Sequence, residues 1–256
     1  MHFVVDAVTD KGAVKDTNQD GLCLMKMSTV AGELAFAVLC DGMGGLEKGE
    51  LASAEVVRAF ERWAYNELPL LCSEGISERN LKAHWRGIVD EQAARIMEYG
   101  RTNGCSLGTT VVCLLCTQTH YYAMNVGDSR AYLFTDRTQC ITNDHTWVAR
   151  EVSMGRMSEE DAQTSPQRSV LLQCIGASKT VIPDFYSGKL HPNCTLMLCS
   201  DGFRHEVSDG ELYNCYRPDV LTDANVINNA SRYLISLNMQ RGERDNITVI
   251  AIKTIE

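Results

Sequence analysis

No wholly apolar run in this chain exceeds seven residues (LAFAVLC, 34–40). A membrane-spanning helix needs about 20, so no span is expected. Basic charge is scarce: 24 Lys plus Arg stand against 33 Asp plus Glu, a net charge of −9. Phosphate backbones and anionic lipid surfaces are bound by clustered Lys and Arg, which argues against nucleic acid and membrane as main partners. Only five prolines occur, scattered from Pro69 to Pro218. With no low-complexity tract and no repeat, nothing marks a linker, and residues 1–256 read as a single domain. The first residues, MHFVVDAVTD, lack a basic region and carry Asp6 and Asp10, unlike a secretory signal. A cytoplasmic, reducing location is therefore expected.

Several catalytic signatures are also missing. There is no HExxH and no GxSxG. Gly44 to Gly49 has the glycine spacing of a phosphate-binding loop, but Glu50 stands where Lys is required. Cys199 follows Leu198 instead of His and has only four residues before Arg204, which excludes a thiol phosphatase. The eleven cysteines, an odd number, are expected to be thiols behaving as small buried hydrophobes. In VVCLLC, Cys113 and Cys116 lie three apart on a β-like run. They would point to opposite faces and could not chelate one ion together.

What is present is an ordinary globular composition, 45% apolar and 22% charged. Apolar residues recur every three or four positions in 49–68, where Pro69 ends the run, in 77–99, with Gly100 as a stop, and in 222–240, closed by Gly242. Between them lie short β-like runs such as ELAFAVLC, GTTVVCLLC, YYAMNVG, CTLMLCS and NITVIAIK. Many are two to five residues apart, which favours antiparallel hairpins over parallel crossovers. The expectation is an α+β domain of two stacked antiparallel β-sheets with helices outside. The stretch 144–181 carries helix-start signals, Asp144 before HTWVAREV and Ser158 with Asp161 three later. It reads as a helical insertion between strands.

The aspartates fall at the ends of the β-like runs. ELAFAVLC leads into Asp41-Gly42, CTLMLCS into Asp201-Gly202 and YYAMNVG into Asp128, while Asp245-Asn246 precedes ITVIAIK and Asp20 precedes GLCLM. Rigid strands can hold such acids in fixed relation, and carboxylates brought together cannot all ionise without a compensating cation. Carboxylates with glycine carbonyls form an oxygen-only donor set, suited to Mg2+ or Mn2+ more than zinc. Gly42 has no Cβ to keep its carbonyl from a metal, and Gly44 and Gly45 can take positive φ. His145 and His205, the two histidines near these acids, are expected to be structural.

Taken in order, TDKGAVKDTNQD, VLCDGMGG, GTT, NVGDSRAYL, TNDHTW, SPQRSVLLQCIG, LCSDG and RDNITVIAI make the chain resemble the bacterial metal-dependent serine/threonine protein phosphatases of the type 2C (PPM) family. The resemblance implies an α-β-β-α sandwich whose sheets are flanked by helix pairs, with a flap at about 144–181. It implies hydrolysis of phosphoserine and phosphothreonine in proteins by a metal-bridging hydroxide, opposing a bacterial Ser/Thr kinase. The partners implied are phosphorylated proteins, met by a monomer. The cofactors implied are two Mn2+ or Mg2+ ions with a weaker third. Asp41 would bridge the two ions, Asp201 and Asp245 would complete the first site, and the Gly42 carbonyl would ligate the second. Asp128 would hold the third with Asp201, and Asp20 would hydrogen-bond metal-bound water. Lys15 stands where the family has a phosphate-binding Arg, Gln19 where Glu is frequent, and Met43 where eukaryotic members carry His. A regulatory pseudo-phosphatase that binds phosphoprotein without turnover is the alternative these departures motivate. A two-metal nuclease conflicts with the −9 charge.

Overall fold

The computed structural model describes residues 1–43 and 48–256, so Gly44 and Gly45, given a backbone role above, lie outside the described residues. Ten strands form two five-stranded antiparallel sheets. The first contains β1 (His2–Asp10), β10 (Ile247–Ile255), β9 (Thr195–Cys199), β6 (Arg130–Phe134) and β7 (Thr138–Cys140), in that order. The second contains β2 (Gly21–Thr29), β3 (Gly32–Cys40), β4 (Val111–Cys116), β5 (His120–Val126) and β8 (Asp184–Lys189).

Three apolar layers follow from alternation along the strands. Ala35, Ala37 and Leu39 of β3 face Leu196, Leu198, Ile250 and Ile252 across the sheet–sheet interface. Phe36, Val38 and Cys40 point the other way, onto α1 (Gly49–Asn66), α2 (Leu68–Glu74) and α3 (Glu78–Asn103). On the far side, Met197, Cys199, Val249 and Ala251 pack against α6 (Asp201–Arg204), α7 (Asp209–Tyr216) and α8 (Ala224–Gln240). The expected α-β-β-α order of layers is the observed one. Cys113 lies in the helix-facing layer and Cys116 in the sheet–sheet layer, and all eleven cysteines are free.

Three boundary expectations need correction. Pro69 does not simply end a helix: α1 stops at Asn66, and Pro69 sits in the first turn of α2, where its missing N–H costs nothing. Gly100 is not a stop. The helix runs on to Asn103 and is closed by left-handed Gly104, whose N–H bonds the Gly100 carbonyl. Gly100 is there for space, since a Cβ would lie 2.7 Å from the Cys105 carbonyl oxygen. Asp144 does not start α4 (Trp147–Ser153). Thr146 does, accepting from the Ala149 N–H, while Asp144 is held in an ion cluster. Ser158 caps α5 (Glu159–Thr164) through the Asp161 N–H at 3.0 Å, as its spacing predicts. These two short helices lie within 144–181, between β7 and β8. No described helix is long and apolar enough to cross a membrane.

Candidate active site

The register of the strands brings the acids to one end of the sandwich. Gly21 of β2 pairs with Cys40 of β3, so Asp20, just before β2, neighbours Asp41, just after β3. Cys199 of β9 pairs with Val249 of β10, so Asp201, at the start of α6, neighbours the turn carrying Asp245. Asp128 sits in the crossing from β5 in one sheet to β6 in the other. Each sheet thus supplies part of the set.

Backbone and hydroxyl groups fix these positions. The Asp41 carbonyl accepts from the Thr110 N–H at 2.9 Å and the Thr109 hydroxyl at 2.8 Å, and its own N–H donates to the Thr110 hydroxyl at 3.0 Å. Thr248 of β10 donates to Asp20 Oδ2 at 2.5 Å, tying one sheet to an acid of the other. The Gly42 N–H donates to the Gln19 carbonyl at 3.2 Å. No larger residue fits there, because a Cβ would meet the Gly49 and Gln19 carbonyl oxygens at 2.5 and 2.6 Å. Gln19 itself turns its side-chain amide to Glu50 at 3.2 Å. Met43 donates its N–H to the Gly108 carbonyl at 3.1 Å.

The electrostatics are those of a crowded anionic hole. Burial, then the charges of Asp201 and Asp245, push the Asp20 carboxyl up to about 7 against the Thr248 hydrogen bond. Burial and Asp201 push Asp128 up to about 7 as well. Asp41 is raised well above the ordinary range by burial and by Asp20, Asp201, Asp128 and Asp245 together. These mutual effects place the five carboxylates in one another's field. Asp20 Oδ1 and Asp201 Oδ1 are buried without a hydrogen-bond partner. Buried acceptors left this way are costly unless something cationic serves them, and an oxygen-only set fits a hard divalent ion. Among the described residues, no three His, Cys, Asp or Glu side chains stand close enough together as they are to hold a metal ion. Three of the acids have oxygens turned to protein partners: Asp20 Oδ2 to Thr248, Asp245 Oδ1 to Lys15 Nζ at 2.9 Å, and Asp201 Oδ2 to His205 Nε2 at 3.6 Å.

Lys15 thus stands at the site, next to a cavity of about 330 Å3 that Asp201, His205, Glu243, Asp245 and Arg168 also line. Arg168 comes from the 144–181 segment, which brings that segment to the cavity wall. His145 is structural, as expected. Its Nδ1 receives the Gly127 N–H at 3.2 Å, and its Nε2 lies 3.1 Å from Asp184 Oδ2.

Four contributors were not anticipated. Asn246, almost fully buried, donates to the Lys11 and Thr17 carbonyls and accepts the Gln19 N–H, so it moulds the loop that presents Lys15. Arg204 donates to the Asp128 carbonyl at 3.2 Å and pairs with Asp144, which is also held bidentately by Arg130. Glu243 lies 3.2 Å from His205 and accepts the Asp245 N–H. Of these, only Asn246 and Arg130 carried a sequence signal, by lying inside motifs quoted above.

A family model described as protein phosphatase 2C matches residues 12–229. Serine/threonine phosphatase stp of Listeria monocytogenes is 28% identical over 250 residues, 96% of this chain and 93% of that one. The crystal structure of serine/threonine phosphatase Stp1 from Staphylococcus aureus superposes with a TM-score of 0.83 at 29% identity, covering 100% of this chain and 96% of the other. The catalytic domain of serine threonine protein phosphatase PstP in complex with 2 manganese ions shares the fold, with a TM-score of 0.77 at 24% identity over 100% of both chains.

Proposed function

As the chain belongs to the protein phosphatase 2C family and is a serine/threonine protein phosphatase, we propose that its strand-end acids hold two divalent cations, Mn2+ or Mg2+, for hydrolysis of phosphoserine and phosphothreonine in proteins. The carrying observation is the crowded hole itself: burial and the neighbouring acids raise the carboxyls of Asp20, Asp41 and Asp128, and two buried oxygens, on Asp20 and Asp201, lack a partner. Asp41 would bridge the ions, with Asp201 and Asp245 on one and the Gly42 carbonyl on the other. Asp128 would hold a weaker third ion with Asp201. PstP, of the same fold, is described with two manganese ions. Bound there, such ions would supply a strongly nucleophilic water at neutral pH and offset the charge on the phosphoryl oxygens.

The chain's own residues do the rest. Asp20, whose Oδ1 is buried without a hydrogen-bond partner, is placed to hold or take a proton from the attacking water. Lys15 brings a single ammonium to the phosphate, a point charge without the fork geometry of Arg. The walls of the cavity fix the ester against that water and so supply orientation. No protein nucleophile is assigned: Cys199 and its neighbours are buried in strands. Residues 1–256 act as one domain in this reading, with 144–181 as a flap over the cavity. The setting proposed is a cytoplasmic monomer that reverses the work of a Ser/Thr kinase.

The test is hydrolysis of p-nitrophenyl phosphate and of a phosphothreonine peptide. Mn2+ is expected to support turnover, EDTA to abolish it, and Asp41→Asn or Asp201→Asn to lower kcat/KM at least about 100-fold. Full activity in metal-free Asp201→Asn, or peptide binding without phosphate release in excess Mn2+, would sink the proposal.

A further inference from the structure

Glu243, buried, and His205, largely covered, are polar side chains that the proposed cation set does not use. Glu243 stands on the turn before β10 with its side chain 6% exposed, and His205 directly follows α6 with its side chain 13% exposed. Glu243 Oε1 accepts the N–H groups of Arg244 at 2.7 Å and Asp245 at 2.9 Å, fixing the peptide from which Asp245 projects. Glu243 Oε2 lies 3.2 Å from His205 Nδ1. The other ring nitrogen, Nε2, lies 3.6 Å from Asp201 Oδ2. One imidazole therefore spans from the turn of Asp245 to the carboxylate of Asp201. Both its nitrogens face carboxylates, which leaves neither free to ligate.

We infer that the His205–Glu243 pair is a positioning brace that holds Asp201 and Asp245 in register for a shared divalent cation. This rests on the reading that those two aspartates bind one ion. The need for a brace is geometric. Asp201 is delivered by the end of β9 and Asp245 by the loop into β10, and a carboxylate on a short stem can rotate about χ2 unless something meets its second oxygen. His205 Nε2 faces that oxygen on Asp201 at 3.6 Å, while Glu243 accepts from the Asp245 turn through Oε1 and sets Oε2 3.2 Å from the ring. Partners that orient ligating carboxylates in this way set metal affinity without touching the metal.

The test titrates metal-free protein with Mn2+ and follows the free ion by electron paramagnetic resonance, with circular dichroism and thermal melts to establish folding. Wild type is expected to bind and Asp201→Asn to lose binding. His205→Ala and Glu243→Ala are each expected to raise Kd by about ten- to a hundredfold. The double variant is expected to be no worse than the weaker single one, because the two side chains act as a unit. Glu243→Gln keeps an oxygen for the two backbone N–H groups and an amide for the ring, and is expected to recover most of the affinity. An unchanged Kd in folded His205→Ala overturns the brace. Complete loss of binding in folded His205→Ala overturns it too, since His205 would then be a ligand. If Asp201→Asn binds Mn2+ as wild type does, it is the cation assignment beneath the brace that fails.

Discussion

Lys15 is shared between two duties. Its ammonium lies 2.9 Å from Asp245 Oδ1, on a side chain 29% exposed and lining the cavity. Contact with a phosphate dianion would draw it from one anion to the other, so its loss should act mainly on substrate affinity. Lys15→Ala is expected to raise KM for a phosphopeptide about tenfold and leave kcat within about threefold, read from steady-state kinetics. A matching fall in kcat with KM unchanged would place Lys15 in the transition state alone. At this scale the sequence was most informative where a residue type is tied to a strand end: Asp20, Asp41, Asp128, Asp201 and Asp245 could all be named in advance. It marked His205 only as a structural histidine near the acids and was silent on its pairing with Glu243. They lie 38 positions apart, and their pairing exists only once α6 and the β10 turn are folded side by side. It was equally silent on Arg204 reaching Asp144 and the Asp128 carbonyl, contacts that span 60 and 76 positions.

Among the elements, α7 shows what local signals can and cannot tell. Ser208 and Glu211 form a capping box: the Ser208 side chain accepts the Glu211 N–H, and the Glu211 side chain accepts the Ser208 N–H at 2.9 Å. Arg241 then grips Glu211 through two bonds of 2.9 and 2.6 Å, tying this cap to the end of α8. Ser208→Ala is expected to cost about 1 kcal/mol and to lower Tm by about 2–4 °C, with kcat/KM unchanged, by calorimetry and assay. The box motif was present in the sequence, but α7 is only eight residues long and its apolar stripe too short to stand out. The strands were easier to read. VVCLLC is buried on both faces, one against helices and one against the other sheet, so β4 is apolar throughout. Helix ends were the hardest to read, because glycine serves both to stop a helix, as Gly104 does, and to let a neighbour approach, as Gly100 does.

For the molecule as a whole, the acid cluster sets a pH dependence with a definite sign. Asp20 and Asp128 titrate near 7 in the folded state against an ordinary value of 3.8. Between those limits the folded chain holds more protons than the unfolded one. Stability of the metal-free protein must therefore fall as pH rises from about 4 to about 7, and stay low above it. Thermal melts in EDTA are expected to give a higher Tm at pH 5.5 than at pH 7.5. Saturating Mn2+ is expected to raise Tm most at the higher pH, where the carboxylates are free of protons. A Tm in EDTA that rises over this range would contradict the crowding of the acids. The same cluster places part of the −9 net charge at one end of the sandwich.

The acids are split between the two sheets, and this has a kinetic consequence. Asp20 and Asp41 flank strands of one sheet, Asp201 and Asp245 flank strands of the other, and Asp128 lies in the crossing between them. Neither sheet alone assembles the hole, so a collapsed chain with both sheets formed but not yet docked would lack it. A cation that requires the docked arrangement stabilises only what comes after docking. Mn2+ should then slow unfolding while leaving the refolding rate nearly unchanged, and the gap between those two responses would time the meeting of the sheets.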